Sequence, residues 1–470
     1  MKKNKKTFPI IEHVSIIDSG TEGQSIGKVN EMVIFVKDAV PGDVVDVEIT
    51  RKKSNYREGR AINWHNLSDK REKVPCEHFG VCGGCKWQNM QYQWQLHYKQ
   101  KQVHDALTRI GKLELPEIKP ILPSKNIFYY RNKLEFTFSN RMWLTQQDID
   151  SEKKFDNRNA LGFHIPKMFD KILDINHCHL QKEPSNAVRL EIKKYAIENS
   201  LPFFDIKAQQ GLLRNLIIRT SSTGELMVIV VFYLEEKETL EKLMNHISEK
   251  FPEISSLLYI INPKQNDTIS DLEVKIFKGN DCIYEQMGKL KFKISAKSFY
   301  QTNSEQAYEL YKTALDFADL QGNETVYDLY TGTGTIANFI AHKAKKIIGI
   351  EYINSAIEDA KINSDINNIS NTEFYAGDIK NVLNNEFVQQ NSKPDVIITD
   401  PPRAGMHEDV TNKILEIEPE KIVYVSCNPA TQARDLMILD KKYKIEKIQP
   451  VDMFPHTHHV ENVVLLAKKL

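Results

Sequence analysis

The feature that most constrains this chain begins near residue 323, where short apolar runs alternate strictly with helical segments. The runs are TVYDLY (325–330), KIIGIE (346–351), TEFYAG (372–377), DVIITD (395–400) and KIVYVS (421–426). Runs this apolar read as strands buried on both faces, and repeated strand–helix units predict a parallel, doubly wound, Rossmann-like sheet. Two more runs, near 443–450 and 461–468, are close enough in sequence to pair antiparallel. Open α/β sheets bind ligands beyond the carboxyl ends of their strands. The residues ending each run are therefore the candidates for chemistry.

The first strand runs into DLYTGTGT (328–335), which turns into a helix. Gly332 and Gly334 let the backbone turn tightly and approach a ligand. Glu351 ends the next strand, where a carboxylate can accept hydrogen bonds from both hydroxyls of a ribose. The third glycine of the dinucleotide pattern is missing, and Asp328 precedes the loop. Both features suit a cation such as S-adenosylmethionine better than a pyrophosphate, and a dinucleotide is the competing reading. Asp400, in TDPPR (399–403), ends the fourth strand at the same edge.

Cys427, in VSCNP (425–429), ends the fifth strand. A lone cysteine there is most often a small packed hydrophobe, but a neighbouring cofactor site makes it a candidate nucleophile. A thiolate attacking C6 of uracil turns C5 into an enolate carbon reactive towards a sulfonium methyl. The C5 proton must then leave to a base. The stretch HTHHVE (456–461) supplies Glu461, with His458 and His459 as alternatives on local chemistry.

Upstream, residues 8–66 carry short β runs around the turn Pro41-Gly42-Asp43 and predict a small barrel resembling the oligonucleotide-binding architecture. A helix is expected over 88–112. Residues 126–290 mix strands (134–139, 216–221, 225–234, 255–262) with a helix at 236–250. The expected fold is thus β plus α/β: a barrel over 1–70, a central α+β region over 71–290 and a Rossmann-like domain over 291–470. Cys76, Cys82 and Cys85, with Cys178 further on, use four of six cysteines. By count they suit zinc or an iron–sulfur cluster equally.

Equal numbers of basic and acidic residues, 63 each, give a net charge of zero, so global charge does not argue for a nucleic-acid partner. Local charge can: MKKNKK (1–6) and RKKSNYREGR (51–60) are candidate phosphate-contacting stretches. Residues 7–20 are broken by Glu12, His13 and Asp18, and no apolar run approaches the ~20 residues of a membrane span. A cytoplasmic protein with no membrane partner is expected, monomeric by default.

These motifs, together with SFYQTN (298–303), TDPPRAG (399–405), SCNPAT (426–431) and FPHTHHVE (454–461), closely resemble the bacterial uracil-C5 RNA methyltransferases, especially those acting on 23S ribosomal RNA. The resemblance implies a class I methyltransferase domain and a TRAM barrel. It implies Cys427 as nucleophile, Glu461 as base, and Gln301, Tyr330, Glu351 and Asp400 as contacts to S-adenosylmethionine. It implies a [4Fe–4S] cluster on Cys76, Cys82, Cys85 and Cys178, a target uridine flipped out of its stack, and no penalty for Thr331 where relatives carry Cys or Ser. Arg131, Phe163 and Arg214 are candidate RNA contacts. Two rivals are weaker. In an amino-methyltransferase an aromatic residue usually follows Asp-Pro-Pro, where this chain has Arg403. A non-catalytic RNA-binding factor would have no use for both Cys427 and Glu461. A transfer-RNA enzyme of the same family is the nearer alternative.

Overall fold

The computed structural model describes residues 9–20, 22–151 and 157–469. Its C-terminal sheet has seven strands in the order Thr372–Ala376, Lys346–Glu351, Thr325–Leu329, Val396–Thr399, Lys421–Ser426, Glu461–Lys468, Tyr443–Val451. The first five pair in parallel, and Glu461–Lys468 runs antiparallel to both its neighbours. The expected strands and the antiparallel pair are all present. The central strands form because they are apolar along their length: Val326, Ile347, Ile397, Val423 and Val464 are fully buried, and helices cover both faces. The two edge strands, Thr372–Ala376 and Tyr443–Val451, also carry charged residues.

Strands between Ile10 and Asn66 close into a five-stranded barrel around Val14, Ile34, Val36, Val45 and Val47. Closure leaves no free sheet edge. The lysine-rich stretch 1–6 lies outside the described residues. In the stretch 51–60, Arg51 pairs with Glu58, and Arg60 pairs with Glu48, so part of its charge is answered within the barrel.

A second seven-stranded sheet, from Lys133–Ser139 to Lys275–Gly279, carries helices Ser185–Glu198 and Lys237–Lys250 on one face. Its other face, through Ile217, Met227, Ile229 and Val231, shares one core with helix Ser304–Ala318 and the C-terminal sheet. The expected helix over 88–112 is an α-helix, Tyr92–Asp105, continued by a π-helical turn, Ala106–Ile110. It lies against the C-terminal sheet, sharing a core through Val103, Ala106 and Leu107. Among the described residues, no helix is long and apolar enough to cross a membrane.

Candidate active site

The glycine loop is shaped from below. Asp328 is fully buried, and its Oδ2 accepts from Thr331 Oγ1 at 2.6 Å and from Ala337 N at 3.1 Å. Burial pushes this carboxyl up to about 7. With this one oxygen Asp328 fastens the loop to the helix that follows, while its Oδ1 has no partner among the described residues. Thr331 supplies the hydroxyl for that bond. Tyr330, Gly332 and Gly334 all have positive φ, at 64°, 57° and 72°. A Cβ on Gly332 would meet nothing within 4 Å, whereas one on Gly334 would lie 2.9 Å from Ala360 Cβ. Gly334→Ala is expected to cost about 1–3 kcal/mol from left-handed strain and this contact, read as a lower denaturation midpoint; Gly332→Ala pays the strain alone and should cost less.

Glu351 is held by two backbone amides, Gly332 N at 3.2 Å and Ile353 N at 3.0 Å. Its orientation is therefore set before any ligand arrives. Gln301 is buried, on a loop gripped from two sides. Arg219 donates to the carbonyl of Ser298 at 2.7 Å, and Ser298 Oγ donates to Asp359 Oδ2 at 2.6 Å. The Gln301 side chain meets the buried Tyr311, which lies beside Asp400, Asp328 and Glu461. Half-buried Tyr330 has its phenol pushed up to about 12, chiefly by burial.

The antiparallel strand explains how two distant motifs meet. Ser426 stands opposite Asn462, so Cys427 and Glu461 emerge side by side at one edge. Burial, reinforced by Asp400 and opposed by Arg403, pushes Glu461 up to about 8. Burial, then Asp328, pushes Asp400 up to about 7. The Cys427 thiol is pushed up to about 12 by burial and by the charges of Glu461 and Asp400, with Arg403 opposing. Arg403 is fixed nearby because its carbonyl accepts from Asn428 Nδ2 at 3.0 Å and Thr431 Oγ1 at 3.1 Å. Burial lowers His458 to about 4 and His459 to about 3. Both are neutral near pH 7.

Other candidates divide. Arg214 is buried, and it donates to the carbonyls of Asn262, Lys264 and Asn266 and to Asp267. Phe163 packs on Phe136 with ring centroids 5.0 Å apart. Arg214 is therefore spent on the fold, and Phe163 is half-buried against the central core. Arg131 lies over the ring of Phe454, 5.2 Å away, in the loop leading to Glu461.

Cys76, Cys82, Cys85 and Cys178 gather in one place. Burial raises the proton affinity of every thiol, to about 11 for Cys82 and about 12 for Cys85; the other cysteines add to it for Cys82, Cys85 and Cys178, and Glu77 adds to it for Cys76. The thiols converge, although no three His, Cys, Asp or Glu side chains among the described residues are arranged as a metal site.

Sequence reasoning missed a buried ion pair. Lys99 Nζ lies 2.5 Å from Asp452 Oδ1 and also donates to the carbonyl of Phe454 at 2.9 Å. Lys99→Met would strand Asp452 and is expected to cost about 3–5 kcal/mol in denaturant unfolding. Lys99→Met with Asp452→Asn should recover most of it.

A family model described as tRNA (Uracil-5-)-methyltransferase matches residues 220–469, and a TRAM domain model matches residues 11–62. A Bacteroides thetaiotaomicron protein named an uncharacterized RNA methyltransferase is 61% identical over 448 residues, covering 95% of this chain and 99% of its own. A Porphyromonas gingivalis protein of the same description is 55% identical, covering 97% and 99%. The crystal structure of Pyrococcus abyssi tRNA (uracil-54, C5)-methyltransferase in complex with S-adenosyl-L-homocysteine superposes with a TM-score of 0.74 at 28% identity, covering 97% of this chain and 100% of that one. The N-terminal barrel is thus a TRAM domain, the C-terminal sheet has the class I methyltransferase fold, and the chain belongs to the tRNA (uracil-5-)-methyltransferase family of RNA methyltransferases.

Proposed function

We propose that this protein methylates C5 of a uridine in 23S ribosomal RNA, using S-adenosylmethionine and a covalent bond from Cys427 Sγ to C6. The observation that carries the reading is the meeting of one thiol, Cys427, with two carboxyls, Asp400 and Glu461, at the ligand edge of a methyltransferase sheet. The residues fit the cofactor: the space over Gly332 is open, Glu351 is pre-oriented for a ribose, and Asp400 offers negative charge to a sulfonium. Gln301, Tyr330, Glu351 and Asp400 would hold S-adenosylmethionine, which supplies an electrophilic methyl group when bound.

The chain's own residues do the rest. Cys427 gives its proton up to solvent and Sγ bonds to C6; the C5–C6 π electrons move towards O4, giving an enolate. C5 takes the methyl group. Glu461 then accepts the C5 proton, and the returning electron pair expels Sγ and restores the ring. Arg403 is the positive charge that favours both the thiolate and the ionised base.

Cys76, Cys82, Cys85 and Cys178 would hold a [4Fe–4S] cluster. The support is four thiols gathered from two distant stretches, with Gly83 at a φ of 77° letting the chain fold round them. Iron and acid-labile sulfide in anaerobically purified protein, against zinc, test this. The barrel over 1–70 and the region over 71–290 grip RNA, residues 291–470 catalyse, and the protein works as a cytoplasmic monomer. Ribosomal RNA is favoured by the pairing of a TRAM barrel with the cysteine group. A transfer-RNA substrate has separate support in the likeness to the Pyrococcus abyssi enzyme.

The test uses ribosomal RNA fragments and transfer RNA that contain 5-fluorouridine. Fluorine cannot leave C5 as a cation, so a true turnover stalls as a protein–RNA adduct on a denaturing gel. An adduct with ribosomal RNA supports the reading. One with transfer RNA alone keeps the chemistry and moves the substrate, and none with either ends the covalent mechanism.

A further inference from the structure

We infer that Gln95, on the helix that follows the cysteine segment, is a positioning residue for Glu461, acting through a clamp on the backbone of His456. The inference rests on the uridine-methylation reading above and adds a role that no catalytic motif contains.

Glu461 is the first residue after the turn joining strands Tyr443–Val451 and Glu461–Lys468, and it pairs with Val451 across that turn. The connection, residues 452–460, carries few contacts of its own kind: Thr457 N and Oγ1 reach the carbonyl of Phe454, and His459 N reaches Thr457 Oγ1. Its shape is imposed from outside. At its centre, His456 is buried with a φ of 64°, a conformation a non-glycine side chain adopts only under constraint.

The Phe128 ring stacks on His456 with centroids 4.3 Å apart, and the Tyr130 hydroxyl donates to the carbonyl of Pro455 at 3.0 Å. The main chain of His456 itself is held by the cysteine segment and the helix after it. The amides of Lys86 and Trp87, directly after Cys85, donate to the carbonyl of His456 at 2.7 and 3.1 Å. Gln95, itself fully buried, accepts from His456 N at 2.8 Å and lies 3.2 Å from His456 Nδ1 through its amide nitrogen. The same nitrogen donates to the carbonyls of Trp87 and Met90 at 2.9 and 2.8 Å. One side chain thus ties the cysteine segment and the base-bearing connection into a single unit. The Lys99–Asp452 pair, one helical turn further on, anchors the start of the same connection.

The barrel joins at this point too. Trp87 Nε1 donates to the carbonyl of Gly23 at 3.2 Å. A Cβ on Gly23, at φ 75°, would lie 3.2 Å from the Cβ atoms of both His458 and Lys86. Three parts of the chain therefore meet on residues 456–458, and the clamp decides how Glu461 faces C5. The earlier attack by Cys427 and the methyl transfer do not use Glu461, so a loosened clamp impairs only proton removal.

The experiment compares wild type with Gln95→Met on ordinary uridine RNA and radiolabelled S-adenosylmethionine, by steady-state kinetics and denaturing gels. Loosening the clamp should lower kcat about 10²-fold, the loss a misplacement of about 1 Å produces, with KM for RNA unchanged. The methylated enzyme–RNA adduct should accumulate, because the bond from Sγ to C6 forms and the C5 proton stays. Gln95→Glu keeps the acceptor for His456 N but meets the Trp87 and Met90 carbonyls with an oxygen. It should recover part of kcat and shed part of the adduct, most at low pH where its buried carboxyl is protonated and can donate. Should Gln95→Met fail to fold, Gly23→Ala presses on the clamp from the barrel side and should give the same adduct. Normal turnover without adduct in the folded variants, or loss of adduct formation in step with turnover, overturns the positioning role. A wild type that forms no adduct even with 5-fluorouridine RNA overturns the underlying uridine reading, and the two failures are thereby told apart.

Discussion

Cys427→Ala is expected to lower methyl transfer by about 10⁴-fold or more and to abolish covalent capture of 5-fluorouridine RNA, while leaving the fold intact. The size follows from the chemistry: without a sulfur on C6, C5 of uracil carries too little electron density to take a methyl group. The fold should survive because Cys427 is only half-buried, at the end of a strand. Cys427→Ser should be nearly as inactive, because a serine hydroxyl resists ionisation even more than a thiol that burial and two carboxyls already hold near 12. The measurement is transfer of labelled methyl groups at saturating RNA, beside thermal unfolding. A Cys427→Ala protein within tenfold of wild type would end the covalent reading and return the sheet edge to a direct-transfer methyltransferase.

Much of this site can be read in the sequence because it depends on local order. A buried parallel strand must be apolar along its length, and its ligand edge must lie at its carboxyl end. TVYDLY, KIIGIE, DVIITD and KIVYVS therefore announce both strand and site. Even the antiparallel return that sets Glu461 beside Cys427 can be read from the two closely spaced final runs. What sequence hides is where a polar side chain points. Asp328 looked only like a partner for a cation, yet its Oδ2 is turned inward and shapes the loop through Thr331 and Ala337. Arg214 looked free for phosphate, yet it is buried against carbonyls. Helix Tyr92–Asp105 reads as polar nearly all round, and Gln95 and Lys99 are buried on its core-facing side beside Tyr98 and Val103. Their partners, His456 and Asp452, lie more than 350 residues away in sequence. Only the i, i+4 spacing of Gln95 and Lys99 hints that they share a face. Contacts of that range leave no periodicity to find.

Glu461→Gln is expected to stop the reaction one step later than Cys427→Ala does. Turnover should fall about 10³-fold, within the range lost with a general base, and the methylated adduct should build up on ordinary uridine because nothing removes the C5 proton. The wild-type pH profile should report the same group. Burial, with Asp400 adding, raises Glu461 to about 8 from a usual value near 4.3. A base works only when ionised, so the rate of adduct resolution should climb with pH and level off above about 8. In Glu461→Gln the limb should be absent. Stability should run the opposite way. Asp328, Asp400 and Glu461 all bind protons more tightly folded than unfolded. Their contribution is complete below the unfolded carboxylate range and is lost as pH rises through 7 to 8. The ligand-free protein should therefore unfold at lower temperature at pH 8.5 than at pH 5.5, with a shallower decline in Glu461→Gln. A resolution rate that is flat from pH 6 to 9 in wild type, or a Glu461→Gln protein that releases its adduct normally, would assign the proton to another acceptor. His458 and His459, neutral across that range, would then be the groups to replace.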